Sequence, residues 1–443
     1  MNVERFRSEA MEMNQKTTNK TGEDGYLAVL RIPSFTVLLV GRLVSGAGQI
    51  LFSMATMWYI LQLTESALAA ALIPMLPYLI YAFLGIPLAT ISDRLPKKQL
   101  LIWTDIWRAV IACILAILFL TGSMLPWHIY AANLLIAILG FMFNPATQTV
   151  IPAILPKPAE QLAPANALLN SSSKTIELLG YALGGILIAF ISVQSILFIY
   201  AITFLLSALA IAFIRIPATK VVKQKGFSGF VRDSMQGITF LFSNKVLACC
   251  IIFGAIINFA GAPLHIFTPI FANMVLEAGP QGYGLLQSAF AAGSIVGSLL
   301  SGKYAKRLSL AHWFLISYLI SGASLLLMPM VPNLYFAIAC SFLLMLGLAL
   351  VNVPLVTSIL LSTPEEKRGR VMNSMGVLMS GVSNPLGLLL GGWLIEAYSP
   401  SWVYMGIGIF VIFMGTASLF VRPFREDRAG HTSHRKSSIP SEI

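Results

Sequence analysis

The chain has 443 residues, 57% of them hydrophobic and 11% charged, and its mean hydropathy of +0.80 excludes an ordinary water-soluble protein. A formal net charge of +11 would suggest a nucleic-acid partner in a soluble chain, but of the 29 Lys and Arg all except Arg42, Arg108 and Lys174 fall in the termini and in alternate loops. The opposite loops carry only Glu65, Glu277 and Glu396, so the positive-inside rule predicts a multi-pass protein of the cell membrane, with both termini cytoplasmic and no nucleic-acid partner.

The first 25 residues are polar and mixed in charge, and no signal peptide is expected there. Twelve apolar spans then follow, near 34–61, 66–91, 99–121, 127–153, 163–191, 193–215, 247–275, 281–303, 309–329, 333–361, 370–397 and 400–421. The expected fold is an all-α membrane protein, its twelve transmembrane helices forming two pseudo-symmetric six-helix bundles. That reading divides the chain into a cytoplasmic tail (1–33), an N-terminal bundle (34–215), a linker (216–246), a C-terminal bundle (247–421) and a disordered tail (422–443). Trp127, Tyr130, Tyr398, Trp402 and Tyr404 are expected to form an interfacial aromatic belt at the outer ends.

Span 1 carries a small and polar run, Gly41-Arg42 followed by Ser45, Gly46, Gly48 and Gln49, which predicts a face against a cavity or another helix. Arg42, about 10 Å inside, is shallow enough to snorkel or to pair with Asp105, readings that compete with substrate contact. Between spans 2 and 3 stand Asp93, Arg94, Lys97 and Lys98. These residues match the cytoplasmic signature loop of the major facilitator superfamily, GxxxDRxGR(K/R), with Ala89 and Pro96 in place of its two glycines. The resemblance implies that Asp93 caps a helix end in the second half and latches the outward-facing state, a task for a carboxylate near a helix N-terminus. The equivalent second-half loop, Ser301 to Arg307, keeps the bases and lacks the acid, so such a latch is asymmetric.

Asp105 and Arg108 in span 3 are three residues apart on one face and are expected to pair, in a structural role. Phe143-Asn144-Pro145-Ala146, Pro152, Pro156, Leu162, Ala165 and Asn166 resemble the FxPAxxxxxPxxxPxxxLxxAN motif of twelve-span drug:proton antiporters of the macrolide-efflux-like and siderophore-exporter-like kind. The resemblance covers roughly residues 30–422 and implies secondary transport of a small amphipathic substrate, by alternating access and in exchange for protons. Departures from the antiporter pattern are Tyr181, where a glycine-rich motif of span 5 has proline, and the lack of a base in span 4.

A stretch from Gly140 to Leu187 recurs 207 residues later, carrying Gly180, Gly184 and Gly185 onto Gly387, Gly391 and Gly392 in one register. Glycines spaced by four let a neighbouring backbone approach where lipid removes the hydrophobic drive, so these six are assigned to helix packing. On span 5, Asn166, Asn170, Ser173, Lys174, Glu177, Gly180, Tyr181 and Gly184 share one stripe at about 100° per residue. Lys174 and Glu177 then lie roughly 16–21 Å deep, which makes Glu177 a candidate proton carrier tuned by Lys174, or the two a permanent structural pair.

In the linker, Phe227, Phe230, Ile238, Phe240, Leu241 and Phe242 alternate with Arg232, Asp233 and Gln236, predicting an amphipathic helix on the inner membrane surface. Gln49, Asn144, Asn170, Tyr181, Asn258, His265, Gln287, Asn352 and Asn384 are the cavity candidates; by the resemblance, spans 3, 6, 9 and 12 are outer scaffold. His265 reads first as a hydrogen-bonded core histidine and second as a proton carrier. Cys113, Cys249, Cys250 and Cys340 sit in apolar runs and read as small hydrophobes.

No catalytic pattern is present: there is no HExxH, GxSxG or CxxC, and Gly297 to Tyr304 only approximates a phosphate loop inside span 8. Neither an enzyme nor a cofactor or metal is expected, and transport is expected to draw on an ion or substrate gradient. The reading is of a monomeric exporter of a drug-, macrolide- or siderophore-like molecule. Its alternatives are an importer or facilitator of the same fold and, from another class, a transport-inactive sensor or scaffold.

Overall fold

The structure is a computed structural model that describes residues 26–216, 238–304 and 307–426. Among these, twelve helices are long and apolar enough to cross a membrane. They are α1 (Pro33–Thr64), α2 (Ala67–Arg94), α3 (Lys97–Leu120), α4 (Pro126–Ile154), α5 (Pro158–Phe190), α6 (Val193–Phe213), α7 (Lys245–Val275), α8 (Gly279–Tyr304), α9 (Leu310–Met330), α10 (Leu334–Leu361), α11 (Ser374–Ala397) and α12 (Pro400–Ser418). An even number of crossings brings residues 33 and 418 to one side of the bundle, the terminus side.

Local chemistry explains the ends of these helices. Pro33, Pro126, Pro158 and Pro400 stand in the first turns of α1, α4, α5 and α12, where the missing N–H has no helical partner anyway. Ser66, Asn244 and Asn333 accept hydrogen bonds from the first backbone N–H groups of α2, α7 and α10. Glu65 and Glu277, after the first helix of each half, adopt left-handed conformations with φ of 51° and 48°. The helices' outward faces carry large apolar side chains such as Trp103, Trp107, Phe190, Phe213 and Phe413, as lipid contact requires.

Two spans are not the continuous α-helices expected. α7 is broken into Lys245–Gly261, Leu264–Ile270 and a π-turn at Phe271–Val275, because Pro263 and Pro269 each remove a backbone donor. α11 follows the helical segment Glu365–Gly376 and holds a π-turn at Val377–Val382 before Ser383–Ala397. Such interruptions are tolerated in lipid where they are buried in protein or line a cavity, and π-turns are frequent at functional positions.

The core shared by the two halves lies mainly away from the terminus side, although Tyr81 of α2 also fits against Gly376 and Gly381 of α11. One core cluster joins Met54, Trp58, Ala71 and Ile73 of the first half to Ile266, Phe267, Phe271 and Leu286 of the second, with Trp58 stacked on Tyr283 at 6.4 Å between ring centroids. The other clusters lie within the first half. The Ser66 hydroxyl and the Leu68 N–H, at the start of α2, both donate to Glu396 at the end of α11.

Three expectations shift. Tyr404 is not at the interface but fully buried between Phe267 and Phe271, and Tyr130 donates to the Ala69 carbonyl, so of these five aromatics Trp127, Tyr398 and Trp402 are the exposed ones. The C-terminal tail begins with a helical turn, Arg422–Glu426, whose Phe424 is buried against Phe253 and Phe314; apolar burial overrides the charge around it. Of the linker helix, residues 238–243 are helical and 217–237 lie outside the described residues, as do 1–25 and 427–443.

Candidate transport cavity

A cavity of about 410 Å³ lies between the halves. From the first half come Arg42, Gln49, Asn133, Asn144, Phe141 and Tyr181, and from the second His265, Tyr283 and Gln287. Pro74 and Pro77 of α2 also face it, each removing one helical hydrogen bond. Its wall is mixed: aromatic and aliphatic surface with a few amides and two guanidiniums. That is the composition of a site for a molecule with an apolar body and a polar end. A second cavity, of about 380 Å³, lies against the second half and is lined by Tyr78, Asn258, Asn352, Ser380 and Asn384. His265, one turn beyond the break in α7, borders both.

The glycine repeat closes the far end. A Cβ on Gly180 would stand 3.0 Å from Ile50, and one on Gly184 2.8 Å from the Met54 sulfur, so both pack α5 on α1 within the first half. Their counterparts Gly387 and Gly391 meet Phe259 and Pro263, packing α11 on α7. Gly185 and Gly392 face across the halves instead. A Cβ on Gly185 would stand 2.7 Å from the Gly284 Cα of α8, and one on Gly392 3.0 Å from the Leu68 Cα of α2. Ser288 of α8 donates to the Leu178 carbonyl (3.0 Å) one turn further in. Toward the terminus side, by contrast, Asn170, Ser171, Ser173, Lys174 and Thr175 of α5 are exposed. The cavity is thus sealed at one end by two crossed helix pairs, α5–α8 and α2–α11, related by the internal repeat.

Residues 24–440 match the family model for transmembrane secretion effectors of the major facilitator superfamily. The chain belongs to this superfamily. It is similar to macrolide efflux protein A of Streptococcus pyogenes, 24% identical over 405 residues that cover 88% of this chain and 96% of that protein. It is likewise similar to the multidrug efflux pump Tap of Mycolicibacterium fortuitum, 24% identical over 407 residues that cover 88% and 96% of the two. The crystal structure of a mutant of the nucleoside transporter NupG shares the fold, with a TM-score of 0.69 at 13% identity over 87% of this chain and all of that one. As a major facilitator the chain is a multi-pass membrane transporter for a small molecule and not an enzyme.

Within this transporter the charged residues divide into two groups. Asp105 is fully buried; one carboxylate oxygen accepts from the Ser207 hydroxyl at 2.7 Å, and the other stands 3.7 Å from Arg108 Nη1. Arg108 lies over the rings of Phe143 and Phe204, 5.3 and 5.1 Å from their centroids, and Arg42 lies within electrostatic reach of both Asp105 and Arg108. Arg42 and Arg108 line the cavity. The second group is Lys174 and Glu177, 2.7 Å apart with side chains 49% and 39% exposed. Glu177 is therefore not the carboxylate withdrawn from solvent; Asp105 is, because α6 closes over it through Ser207.

Gln49 accepts from the Tyr200 hydroxyl (3.3 Å) and Asn258 donates to the Gly254 carbonyl (2.8 Å). Asn170 lines neither cavity: it sits one turn short of Lys174 on the exposed stretch of α5. In the signature loop, Lys97 donates to the Ser92 carbonyl and Lys98 to that of Ala212, both at 2.7 Å, neutralising the C-terminal ends of α2 and α6. Arg94 is exposed, and the side chain of Asp93 lies outside the described residues. The scaffold expectation fails in part, since α3 supplies Arg108 and α6 supplies Phe204 to the cavity and α9 supplies Tyr318 to its neighbour. Sequence reasoning passed over Asn133, Tyr283 and Gly284; for the last two the available signal is the glycine-dense start of α8, Gly279-Pro-Gln-Gly-Tyr-Gly284.

Proposed function

We propose that the chain is a secondary exporter that carries an amphipathic small molecule from the terminus side to the far side in exchange for protons, as a monomer with both termini in the cytoplasm. The observation that carries this reading is the central cavity, walled by both halves and sealed at the far end by the Gly185–Gly284 and Gly392–Leu68 crossings. A cavity of this kind serves transport when the sealed and open ends exchange by rocking of the two repeats. The names of two relatives, a macrolide efflux protein and a multidrug efflux pump, support the outward direction, and the distribution of Lys and Arg supports the orientation.

The test is uptake into inverted membrane vesicles, offered a panel of macrolides, siderophores and dyes while the vesicle interior is acid. At least one compound accumulates, and a protonophore abolishes the accumulation. Accumulation that survives the protonophore would end the antiport reading, and movement only out of the vesicles would end the export reading.

For coupling, Glu177 is taken as the proton carrier, paired with Lys174. Glu177 sits one turn from Tyr181 of the cavity wall, within its electrostatic reach. Lys174→Met with Glu177→Gln removes both charges together, so no unpaired ion remains to unfold the helix. This double variant is expected to keep substrate binding within about threefold and lose pH-driven accumulation. Normal pH-driven accumulation would make the pair structural and leave Asp105 or His265 as the candidate proton carrier.

A further inference from the structure

We propose that Arg42 and Arg108 form an anion-binding pole of the central cavity, and that the exported molecule is an amphipathic anion whose carboxylate, sulfonate or phosphate ester sits between them. The inference deepens the exporter reading and rests on it for the word exported. Both guanidiniums line the cavity, and no acid is among the described residues lining it. Arg108 is only 8% exposed, and its Nε, although buried, has no hydrogen-bond partner. Behind it, Asp105 is the one carboxylate among the described residues placed to balance two guanidiniums; it accepts a 2.7 Å hydrogen bond from Ser207, whereas Arg108 stands 3.7 Å from its other oxygen. Lys174 and Glu177 balance each other and contribute no net charge.

One positive charge is therefore left uncompensated in a span where burial of charge is costly. A guanidinium with a free N–H in such a place selects an oxyanion, whose charge and acceptor geometry it matches. The rest of the wall includes the apolar and aromatic surface of Met57, Ile73, Phe141 and Tyr283, with Gln49, Asn133, Asn144 and Gln287 as neutral hydrogen-bonding groups. The cavity therefore fits a molecule charged at one end and flat or apolar at the other. A cation presented to the same pole would meet two like charges. The phosphate of an anionic lipid shares this chemistry; the proposal commits to the soluble anion because the pole faces the cavity between the halves.

The test uses the full chain, purified and placed in phosphatidylcholine nanodiscs, with two fluorescent probes that share a body: 1-anilinonaphthalene-8-sulfonate and uncharged N-phenyl-1-naphthylamine, each corrected for partition into empty nanodiscs. The sulfonate is expected to bind at least tenfold tighter. Arg42→Gln weakens the sulfonate about tenfold and leaves the uncharged probe within twofold, and Arg42→Lys recovers part of the loss. Because Arg108→Gln alone strands Asp105, the second variant is Arg108→Gln with Asp105→Asn, expected to lose sulfonate preference while keeping the uncharged probe. Equal affinity of the two probes, or a sulfonate affinity indifferent to Arg42→Gln, would overturn the proposal. Loss of sulfonate binding on doping the nanodiscs with phosphatidylglycerol would overturn the assignment to a soluble substrate. If arginine-dependent sulfonate binding is found in a protein that moves no panel compound into vesicles, the exporter reading fails and the anion site stands.

Discussion

Gly185 decides how closely the halves approach. Its missing side chain brings its own backbone against Gly284 and the Pro280 carbonyl, where an added Cβ would stand 2.6–2.7 Å from main-chain atoms that cannot turn aside. Gly185→Ala is therefore predicted to disfavour the sealed far end by about 1–3 kcal/mol, the usual cost of overpacking, which is a five- to 150-fold shift toward the far-side-open state. The shift is read as faster labelling, from outside, of a cysteine introduced at Ser53 of the cavity wall. Gly302→Ala, where an added methyl meets nothing within 4 Å, is the control and leaves both labelling and transport unchanged. Labelling unchanged by Gly185→Ala would mean that this crossing does not form the seal. The glycine repeat was legible because spacing by four survives in any sequence. Which glycines face across the halves was not, since that depends on the rotation of α5 against α8. Enclosure of a carboxylate was not legible for the same reason: counting residues from a helix end gives depth along the axis, but only the packing of α6 on α3 encloses Asp105 and leaves Glu177 half exposed.

At the scale of helices, α2 and α11 pack against each other across the two halves. Tyr81 fits against Gly376 and Gly381 near the π-turn, Tyr78 is hydrogen-bonded to Asn384, and Glu396 holds the N-terminal end of α2 through Ser66 and Leu68. A carboxylate at a helix N-terminus meets unpaired N–H groups and the positive end of the helix dipole. This is the arrangement the signature-loop resemblance assigns to Asp93 on the terminus side, found at the opposite end of the molecule. Because Glu396 is exposed, its removal is worth only about 0.3–1 kcal/mol. Glu396→Ala is thus expected to raise the far-side-open population two- to fivefold with no loss of folded protein. Asp93→Asn is expected to act in the opposite sense, cutting transport while leaving insertion intact because Arg94, Lys97 and Lys98 remain. If the two variants shift the equilibrium in the same direction, they are not opposing latches. The breaks in α7 and α11 were not legible: Pro263, Pro269 and Pro385 lie in runs as apolar as those of α4 and α2, whose prolines the helices absorb without a break.

For the whole molecule, twelve spans and their internal symmetry were readable because the bilayer enforces length and apolarity on every crossing. The expected spans match the helices to within a few residues at most ends; α5 starts earlier, at Pro158, where proline opens the helix ahead of the apolar run. The orientation is checked by cysteines at Ser123, Ser399 and Ser437: the first two are expected to react with an impermeant thiol reagent in intact cells and the third is not. Reversed labelling would invert the direction of transport as well. The central claim is that the two halves rock about the cavity, so that its far seal opens. It is tested most directly by the distance between spin labels at Ser123 and Ser399, exposed far-side positions in opposite halves, with Cys113, Cys249, Cys250 and Cys340 replaced. The account predicts two distance populations, the longer one growing when Gly185→Ala is introduced or a transported compound is added. A single distribution that neither change moves would contradict it.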